Sequence, residues 1–582
     1  VGVAASNAFH VHIEQNGGFF GLYSIVEQVD DDFLKRNGLD PDGVLYKASG
    51  SNSLGNLRPN PTEAGYNKVQ PKDGSFAELI DLTNGINAGN PDRDLYLFDR
   101  INLPAVINEM AAHALTIHHD RLPNNYYVYL DPETQEWTRI PWDFDQPFAV
   151  GGFLTSSHYN SPLYGDSEHG QNGPGADNYN HLYDAILDNP TTREMYLRRL
   201  RTLMDTYLDA STGYFENLVN TTAAQINADA VADNAVWGAG NINDGLNEIL
   251  NISLPTRRSQ LFNTYGPSGS GLIPNAQPAA PSLTIGAIDF APVSGENDEE
   301  YIQLTNNNAT AIDISGWTVE GAITHTFKPG TVIAAGQSLY ITAKTSAFRA
   351  RATGPSGGQG LFVQQWDSGQ LSAFGETITV KRADGTTAAT LTYEGTDPGD
   401  LTGDGVVGLD DLRELLIYWG DAASSSAGAL AADLNGDGTV NTPDLDIVRD
   451  NFGKGTPNPA PTSNPDRDVD VDSNVDNPDE GETTTPATDD AAEDNASRDP
   501  EPTRPSKPVA PTFNPAPTTR PKPASPTLTL SPETQRAAAM RPTANALSLT
   551  RPGKSDAPAA DTPAREITPA RRFNALAMRD KR

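Results

Sequence analysis

With 582 residues the chain has room for about three or four domains of the usual size, yet 37% hydrophobic residues is low for a chain folded throughout, so part of it is expected not to fold. Cysteine is absent, which excludes a disulfide framework, thiolate catalysis and a zinc ribbon. The formal net charge of −35 argues against a nucleic-acid partner and for cations or basic surfaces. No apolar run approaches the roughly 18 residues that a membrane span needs. The sequence opens on Val1 with no signal-peptide pattern, and the expectation is that an upstream part is missing or was removed.

The first elements form a strand–turn–strand pattern. FHVHIEQ at 9–15 alternates, Asn16-Gly17-Gly18 supplies a turn, and FFGLYSIVEQV follows as the second strand. DDDFLKRNG begins acidic, carries Phe33 and Leu34, turns basic and stops at Gly38, the pattern of a helix of one to two turns. Val44–Lys47 reads as a brief strand and Phe76–Thr83 as a short helix. In Leu103–Thr116 the apolar Val106, Ile107, Met110, Ala114 and Leu115 recur at near-helical spacing, so a helix would deliver Asp120.

The stretch that follows, IHHDRLPNNYYVYLDPETQEWTRIPWDFDQPF at 117–148, holds the chemistry. Tyr126–Leu130 and Trp137–Pro141 have strand character and flank a polar turn, so they read as a hairpin. Asp120 and Asn125 precede its first strand, and Asp143 and Asp145 follow its second. An antiparallel hairpin returns its far ends to one place, so these groups should converge. Phosphoryl transfer from a nucleotide needs a carboxylate beside the attacking hydroxyl and oxygen ligands for Mg²⁺, and this set offers both. Asp120 and Asn125 also stand at the spacing of the kinase catalytic loop HRDxxxxN, and Asp143-Phe144-Asp145 is similar to the kinase DFG. The plainer reading makes these aspartates turn formers and caps. His113, His118 and His119 read as packing or loop residues more readily than as a metal site.

With GLYSIVEQVDDDFLKR at 21–36, LYK at 45–47 and IPWDFD at 140–145, the segment from about 9 to 265 resembles the spore coat protein H (CotH) family of atypical kinases. The resemblance implies Asp120 as the base or hydroxyl-orienting group, Asn125 and Asp143 as Mg²⁺ ligands on ATP, and Asp145 as a further ligand in place of the DFG glycine. Glu27 and Lys47 would pair, the lysine on the nucleotide phosphates, although Glu before Lys reverses the usual kinase order. No glycine-rich loop precedes Phe9, so the nucleotide pocket of a domain starting here is expected to be incomplete.

Residues 149–180 are rich in Gly, Ser, Asn and Tyr and suit a loop that binds substrate or lies over the site. His181–Leu208 is amphipathic and reads as helix with its arginines on the outer face, and Tyr214–Leu261 is a further helical region. Strands early and helices late give the domain at 1–265 a two-lobed α+β arrangement. GPSGSG and PNAQPAAPS within 266–282 cannot bury a core and read as an interdomain linker.

Residues 283–396 break into short alternating segments, LTIGAIDF, EEYIQLTN, DISGWTV, THTFKP, SLYITA, LFVQQW, TITVKR and AATLTYE, as in an antiparallel all-β sandwich with Trp317 in its core. EEYIQLTN, ISGW and FGETITVKRADG resemble the lamin-tail domain, an immunoglobulin-like binding or spacer module. Residues 397–455 carry two calcium-type loops of about 12 residues. Asp400, Thr402, Asp404, Val406 and Asp411 form the first ligand set, and Asp433, Asn435, Asp437, Thr439 and Asp444 the second, with Gly405 and Gly438 at the sharp turns. Position seven, Val406 or Thr439, would offer its carbonyl. A closing Asp, a helix after each loop and the regular spacing of the two loops resemble a type I dockerin, a small α, EF-hand-like module that binds Ca²⁺ and a cohesin-like domain. The tail at 456–582 is rich in Pro, Thr, Ala, Asp and Asn, loses periodicity and reads as disordered, acidic first and basic later.

Taken with the resemblances, the chain is expected to be a secreted or cell-surface multidomain kinase. It would move phosphate from ATP to Ser/Thr hydroxyls of a protein substrate and assemble through its dockerin. The alternative is a non-catalytic scaffold or adhesion protein with a degenerate kinase-like domain.

Overall fold

The N-terminal hairpin pairs β1 (Ala8–Gln15) with β2 (Gly18–Val26) around Asn16-Gly17, both at positive φ, which suits a two-residue turn between twisted strands. This computed structural model describes residues 1–49, 54–149, 154, 158–171, 178–238, 240–373, 375–395, 398–402, 405–435 and 437–455. After the hairpin comes α1 (Asp31–Arg36), where the Asp30 carboxylate accepts Phe33 N at 3.2 Å as N-cap and Phe33 and Leu34 are fully buried.

A four-stranded antiparallel sheet in the order β4-β3-β5-β6 follows, from β3 (Val44–Ala48), β4 (Tyr66–Gln70), β5 (Tyr126–Leu130) and β6 (Trp137–Pro141). The strands expected around the turn at 131–136 coincide with β5 and β6. Strand β4 is not among the expected elements; YNKVQ is short, and residues 49–65 rather than a tight turn connect it to its partner β3. Side chains alternate across the sheet. Tyr46, Ala48, Tyr126 and Val128 join the main core, whereas Leu45, Tyr127, Tyr129 and Ile140 pack on Val29, Phe33 and Leu34. The main-core face lies against helices α2 (Ala77–Gly85), α3 (Arg93–Arg100) and α4 (Leu103–Leu115), the last capped by Asn102 and opened by Pro104.

The helix expected over 181–208 is two helices, α5 (His181–Asp188) and α6 (Pro190–Leu203), the second running on as a π-turn to Leu208. Asn189 is extended, Pro190 has no N–H to continue a helix, and the Asn189 side chain caps Thr191 N and Thr192 N at 3.0 and 3.1 Å. The arginines expected on the outer face turn inward: Arg198 and Arg199 are buried. Helices α7 (Tyr214–Trp237), α8 (Ile242–Asn247) and α9 (Leu254–Arg258), with π-turns, complete this part. No described helix is long and apolar enough to cross a membrane.

Residues 266–282 contain no helix or strand, but they are not a loose tether. Ile273 is fully buried, Pro274 O and Asn275 O accept from Arg201 and Arg198, and Gln277 bonds both N and O of Asp313. The β-sandwich region then holds β7 (Thr284–Asp289), β8 (Tyr301–Thr305), β9 (Ile312–Asp313), β10 (Thr318–Glu320), β11 (Ile323–Thr326), β12 (Val332–Ile333), β13 (Ser338–Thr342), α10 (Thr345–Ala350), β14 (Phe362–Gln365), β15 (Ser368–Gly369), β16 (Gly375–Lys381) and β17 (Thr387–Glu394). One sheet has the order β15-β11-β10-β16-β17 and the other β14-β13-β8-β7, with β9 and β12 as a small ribbon. Pairing is antiparallel as expected except for β13 and β14, which are parallel. The crossover between them, with α10 in it, gives the chain the length that parallel pairing needs. Trp317 is buried in the core.

The last described segment packs α11 (Leu409–Ile417), α12 (Ala427–Ala432) and α13 (Thr442–Asn451) around Val407, Leu415, Val440 and Val448. The expected disordered tail at 456–582 lies outside the described residues.

Candidate functional site

Residues 117–148 close on themselves, because Phe148 N donates to Thr116 O. Within them, Trp142 N donates to Asn125 O at 2.9 Å, one rung beyond the Tyr126↔Pro141 pair. That rung sets Asn125 against the residue next to Asp143. Asn125 Nδ2 then donates to Asp120 O at 3.0 Å and to Asp120 Oδ2 at 2.9 Å. The amide nitrogen is committed to Asp120, so Oδ1 is the atom of Asn125 that can serve a cation. Ile117, Asn125, Asp143 and Phe148 all have left-handed φ, between 52° and 63°. Such backbone costs about 1–3 kcal/mol per residue and persists only where its surroundings over-determine it.

Lys47 approaches from β3, where it pairs with Tyr127. Its Nζ lies 4.6 Å from the Trp142 ring centroid and 5.3 Å from that of Tyr127. Burial pulls its pKa below the ordinary lysine value, and the Asp143 carboxylate acts against that pull. Lys47 and Asp143 thus share one electrostatic neighbourhood.

Glu27 does not join them, which corrects the expected Glu27–Lys47 pair. Its carboxylate is taken by Arg36, with Nε donating to Oε1 at 2.9 Å and Nη2 to Oε2 at 2.5 Å, and by Asn7 N at 2.9 Å. The reason is local: α1 brings a two-pronged guanidinium back to Glu27, whereas Lys47 points at Trp142. Asp145 follows Phe144, which stacks on His118 at 4.5 Å and meets His113 edge-on at 5.0 Å. His113 and His118 contact through their Nδ1 atoms at 2.9 Å. Burial lowers both His113 and His119 to about 4 and holds His118 well below the usual imidazole value, so all three are neutral packing groups at pH 7.

Sequence reasoning missed what holds the loop around Asp120. Arg139, fully buried on β6, donates to Glu109, to Tyr183 and to Arg121 O, and its guanidinium lies 4.0 Å from the Tyr126 ring centroid. Arg121, also buried, donates to His118 O and Tyr164 O, each at 2.8 Å. Guanidinium groups therefore fix the backbone on both sides of Asp120. Burial pushes the Glu109 carboxyl up, but Arg139 and His113 overcome it and hold it at about 2. A signal was present: Arg in the middle of WTRIP and Glu in the middle of LPAVINEMAAHAL are charges inside apolar runs, which must pair if buried. In the expected substrate loop at 149–180, residues 150–153, 155–157 and 172–177 lie outside the described residues.

The two acidic loops at 400–411 and 433–444 are built alike. In the first, Thr402 N donates to Asp411 Oδ1 at 3.0 Å and Gly405 N to Asp400 Oδ2 at 2.8 Å. In the second, Asn435 N donates to Asp444 Oδ1 at 3.0 Å and Gly438 N to Asp433 Oδ2 at 2.9 Å. The segments after them cross over: Val407 exchanges backbone bonds with Gly453 and Lys454, and Val440 does the same with Gly420 and Asp421. Asp411 and Asp444 are fully buried, each bonding back to its helix N-terminus through Gly408 N at 2.6 Å or Asn441 N at 2.8 Å. Asp437 accepts Thr439 N at 3.0 Å. Asp433 Oδ1 is buried with no hydrogen-bond partner among the described residues, as suits an oxygen meant for a cation. Val406 pairs with Gly455 in a β-bridge, and Asp404 lies outside the described residues.

Residues 1–252 match the family model described as CotH kinase protein, 276–395 match Lamin Tail Domain, and 398–453 match Dockerin type I domain. No curated protein matches the chain.

Proposed function

Because the chain carries a CotH kinase domain, a lamin tail domain and a type I dockerin in that order, we propose that it is a protein kinase of the extracellular space or cell surface that joins a larger assembly through calcium-loaded loops. It would transfer phosphate from ATP to Ser/Thr hydroxyls of a protein, on an atypical kinase-like fold followed by an immunoglobulin-like sandwich. The observation that carries this reading is the convergence of Asp120, Asn125, Asp143 and Lys47 at one end of the sheet.

In this reading Asp120, oriented by Asn125 Nδ2, accepts the proton of the attacking hydroxyl or holds that hydroxyl in line. Asn125 Oδ1 and the carboxylates of Asp143 and Asp145 would hold Mg²⁺, and Lys47 would meet the phosphates. A bound nucleotide would supply the phosphoryl group, and Mg²⁺ on its phosphates would offset the charge of the transferred group. Trp142 and Tyr127 partly cover the Lys47 ammonium, and its charge counts for more there than in bulk water. Asp400, Thr402, Asp404, Val406 and Asp411, with Asp433, Asn435, Asp437, Thr439 and Asp444, would hold two Ca²⁺ ions and shape the face that meets a cohesin-like domain. The scaffold reading draws on one observation, that Glu27 is committed to Arg36 and gives Lys47 no glutamate.

Calorimetry with ATP and Mg²⁺ separates the roles. Asp120→Asn should lower turnover by about 10²–10⁴-fold and leave nucleotide affinity nearly unchanged. Asp143→Asn should weaken Mg²⁺-dependent nucleotide binding as well. A wild-type chain that binds no nucleotide would reject the kinase reading in favour of a scaffold.

A further inference from the structure

The expected role of the sandwich is that of a binding or spacer module, but its contacts are those of a brace. Two places where it meets the N-terminal domain carry buried ion pairs, and the main core runs without a break from Tyr46 and Trp137 to Trp317 and Ile341. One place is α6. The Glu194 carboxylate accepts Ala311 N at 2.9 Å and Ala335 N at 3.2 Å, and Arg199 pairs with Asp313 at 3.0 Å. The other is the turn of the β5–β6 hairpin. Arg349 of α10 reaches out of the sandwich, donates to Glu136 Oε1 at 2.8 Å and to Phe98 O at 2.9 Å, and lies 3.8 Å from Asp99.

Glu136 is the residue immediately before β6, and its side chain and that of Arg349 are each only 12% exposed. At that burial an unpaired carboxylate is costly, so the pair fixes the start of the strand. Among the described strands β6 is the edge of its sheet, paired with β5 on one side and bridged at Trp137 to Ile101 on the other. Asp143 stands two residues beyond the far end of the same strand. A short strand transmits a shift along its length, because a slip in register moves every residue on it.

We propose that the sandwich braces the catalytic hairpin and that Arg349 is a positioning residue for Asp143, acting through Glu136 and β6. The proposal rests on the reading of residues 117–148 as the catalytic stretch only for its effect on nucleotide. Its structural consequence can be read without any ligand.

The test uses the full chain with Arg349→Ala, Glu136→Gln and, for comparison, Glu194→Ala, which breaks a sandwich contact away from the hairpin. Hydrogen exchange of peptides covering 124–131 and 137–146 is measured with mass spectrometry, together with Mg²⁺–ATP binding by calorimetry. Arg349→Ala and Glu136→Gln should both speed exchange at 137–146 and weaken Mg²⁺–ATP binding about 3- to 30-fold, while Glu194→Ala changes neither. Unchanged exchange in the first two variants, or an equal rise in the third, overturns the brace. A wild-type chain that binds no Mg²⁺–ATP rejects the kinase reading, and the exchange comparison still decides the brace. Should Arg349→Ala fail to fold, Glu136→Gln reports on the same contact.

Discussion

Acid should loosen the N-terminal domain through its buried histidines, and His113 allows the size to be worked out. Its imidazole is neutral in the fold and titrates at about 4, against 6.5 for an unperturbed histidine, with burial as the leading cause. Between those values the unfolded chain carries a proton that the folded chain lacks, so unfolding takes up a proton and stability falls as pH drops. The contribution is fully present above about 6.5, is lost through the window down to about 4 and is flat below it. A gap of about 2.5 pH units corresponds to about 3 kcal/mol, of which about 2 kcal/mol is gone by pH 5. His113→Gln removes this titration and keeps a hydrogen-bonding group beside Glu109. The variant should be less stable at pH 7.5, since it loses the contact with Glu109 at 2.8 Å, yet lose about 2 kcal/mol less between pH 7.5 and 5. Urea unfolding followed by tryptophan fluorescence at pH 7.5, 6 and 5 measures both. Equal pH slopes for wild type and variant would refute the buried, neutral His113. Glu109 acts in a lower window: its carboxyl is held at about 2, so its contribution is present above about 4.5 and disappears as pH falls toward 2.

Two further outcomes concern the loops at 400–411 and 433–444. Asp411 and Asp444 are buried and Asp433 Oδ1 has no hydrogen-bond partner among the described residues, so residues 397–455 should gain helix by circular dichroism when Ca²⁺ is added, with a dissociation constant of roughly 10⁻⁴–10⁻³ M or tighter. A spectrum unchanged up to millimolar Ca²⁺ would contradict this. The same segment should capture a cohesin domain in Ca²⁺ and release it in EDTA; capture that survives chelation would mean that the loops do not shape the binding face.

The elements that could be read from the sequence are those whose signal is local. The β5–β6 hairpin has two apolar runs around a polar turn, and α1 has its cap, its acidic start and its basic end within a few residues. The features that could not be read depend on distant partners. Strand β4 exists because β3 offers it an edge. Residues 266–282 look like a linker by composition, yet Gln277 and Ile273 find partners on surfaces made by other parts of the chain. Arg198 and Arg199 look like a solvated helix face until the sandwich covers them, and acceptors on Ala311, Asp313 and Asn275 offset the cost of burying them.

The site shows the same division at closer range. The spacing from Asp120 to Asn125 and the closing geometry of a hairpin are enough to place Asp120, Asn125 and Asp143 together. The lysine is harder, since two candidates lie on adjacent strands. Lys68 on β4 sits opposite Tyr46, is bonded to Asp73 at 2.8 Å and to Glu78 at 3.3 Å, and so has the Lys-then-Glu order that Lys47 lacks. Strand parity decides between them. Tyr46 and Lys47 are consecutive residues of β3 and point to opposite faces, so Lys68, on the Tyr46 face, points away from the face where Lys47 meets Trp142. Lys47 is the lysine whose charge is coupled to Asp143. Analogy with kinases gives it a glutamate partner, but the carboxylate that the sheet brings to Lys47 is that of Asp143 itself. Loss of that carboxylate would therefore remove a metal-ligand candidate and the counter-charge that acts on Lys47 in the described site.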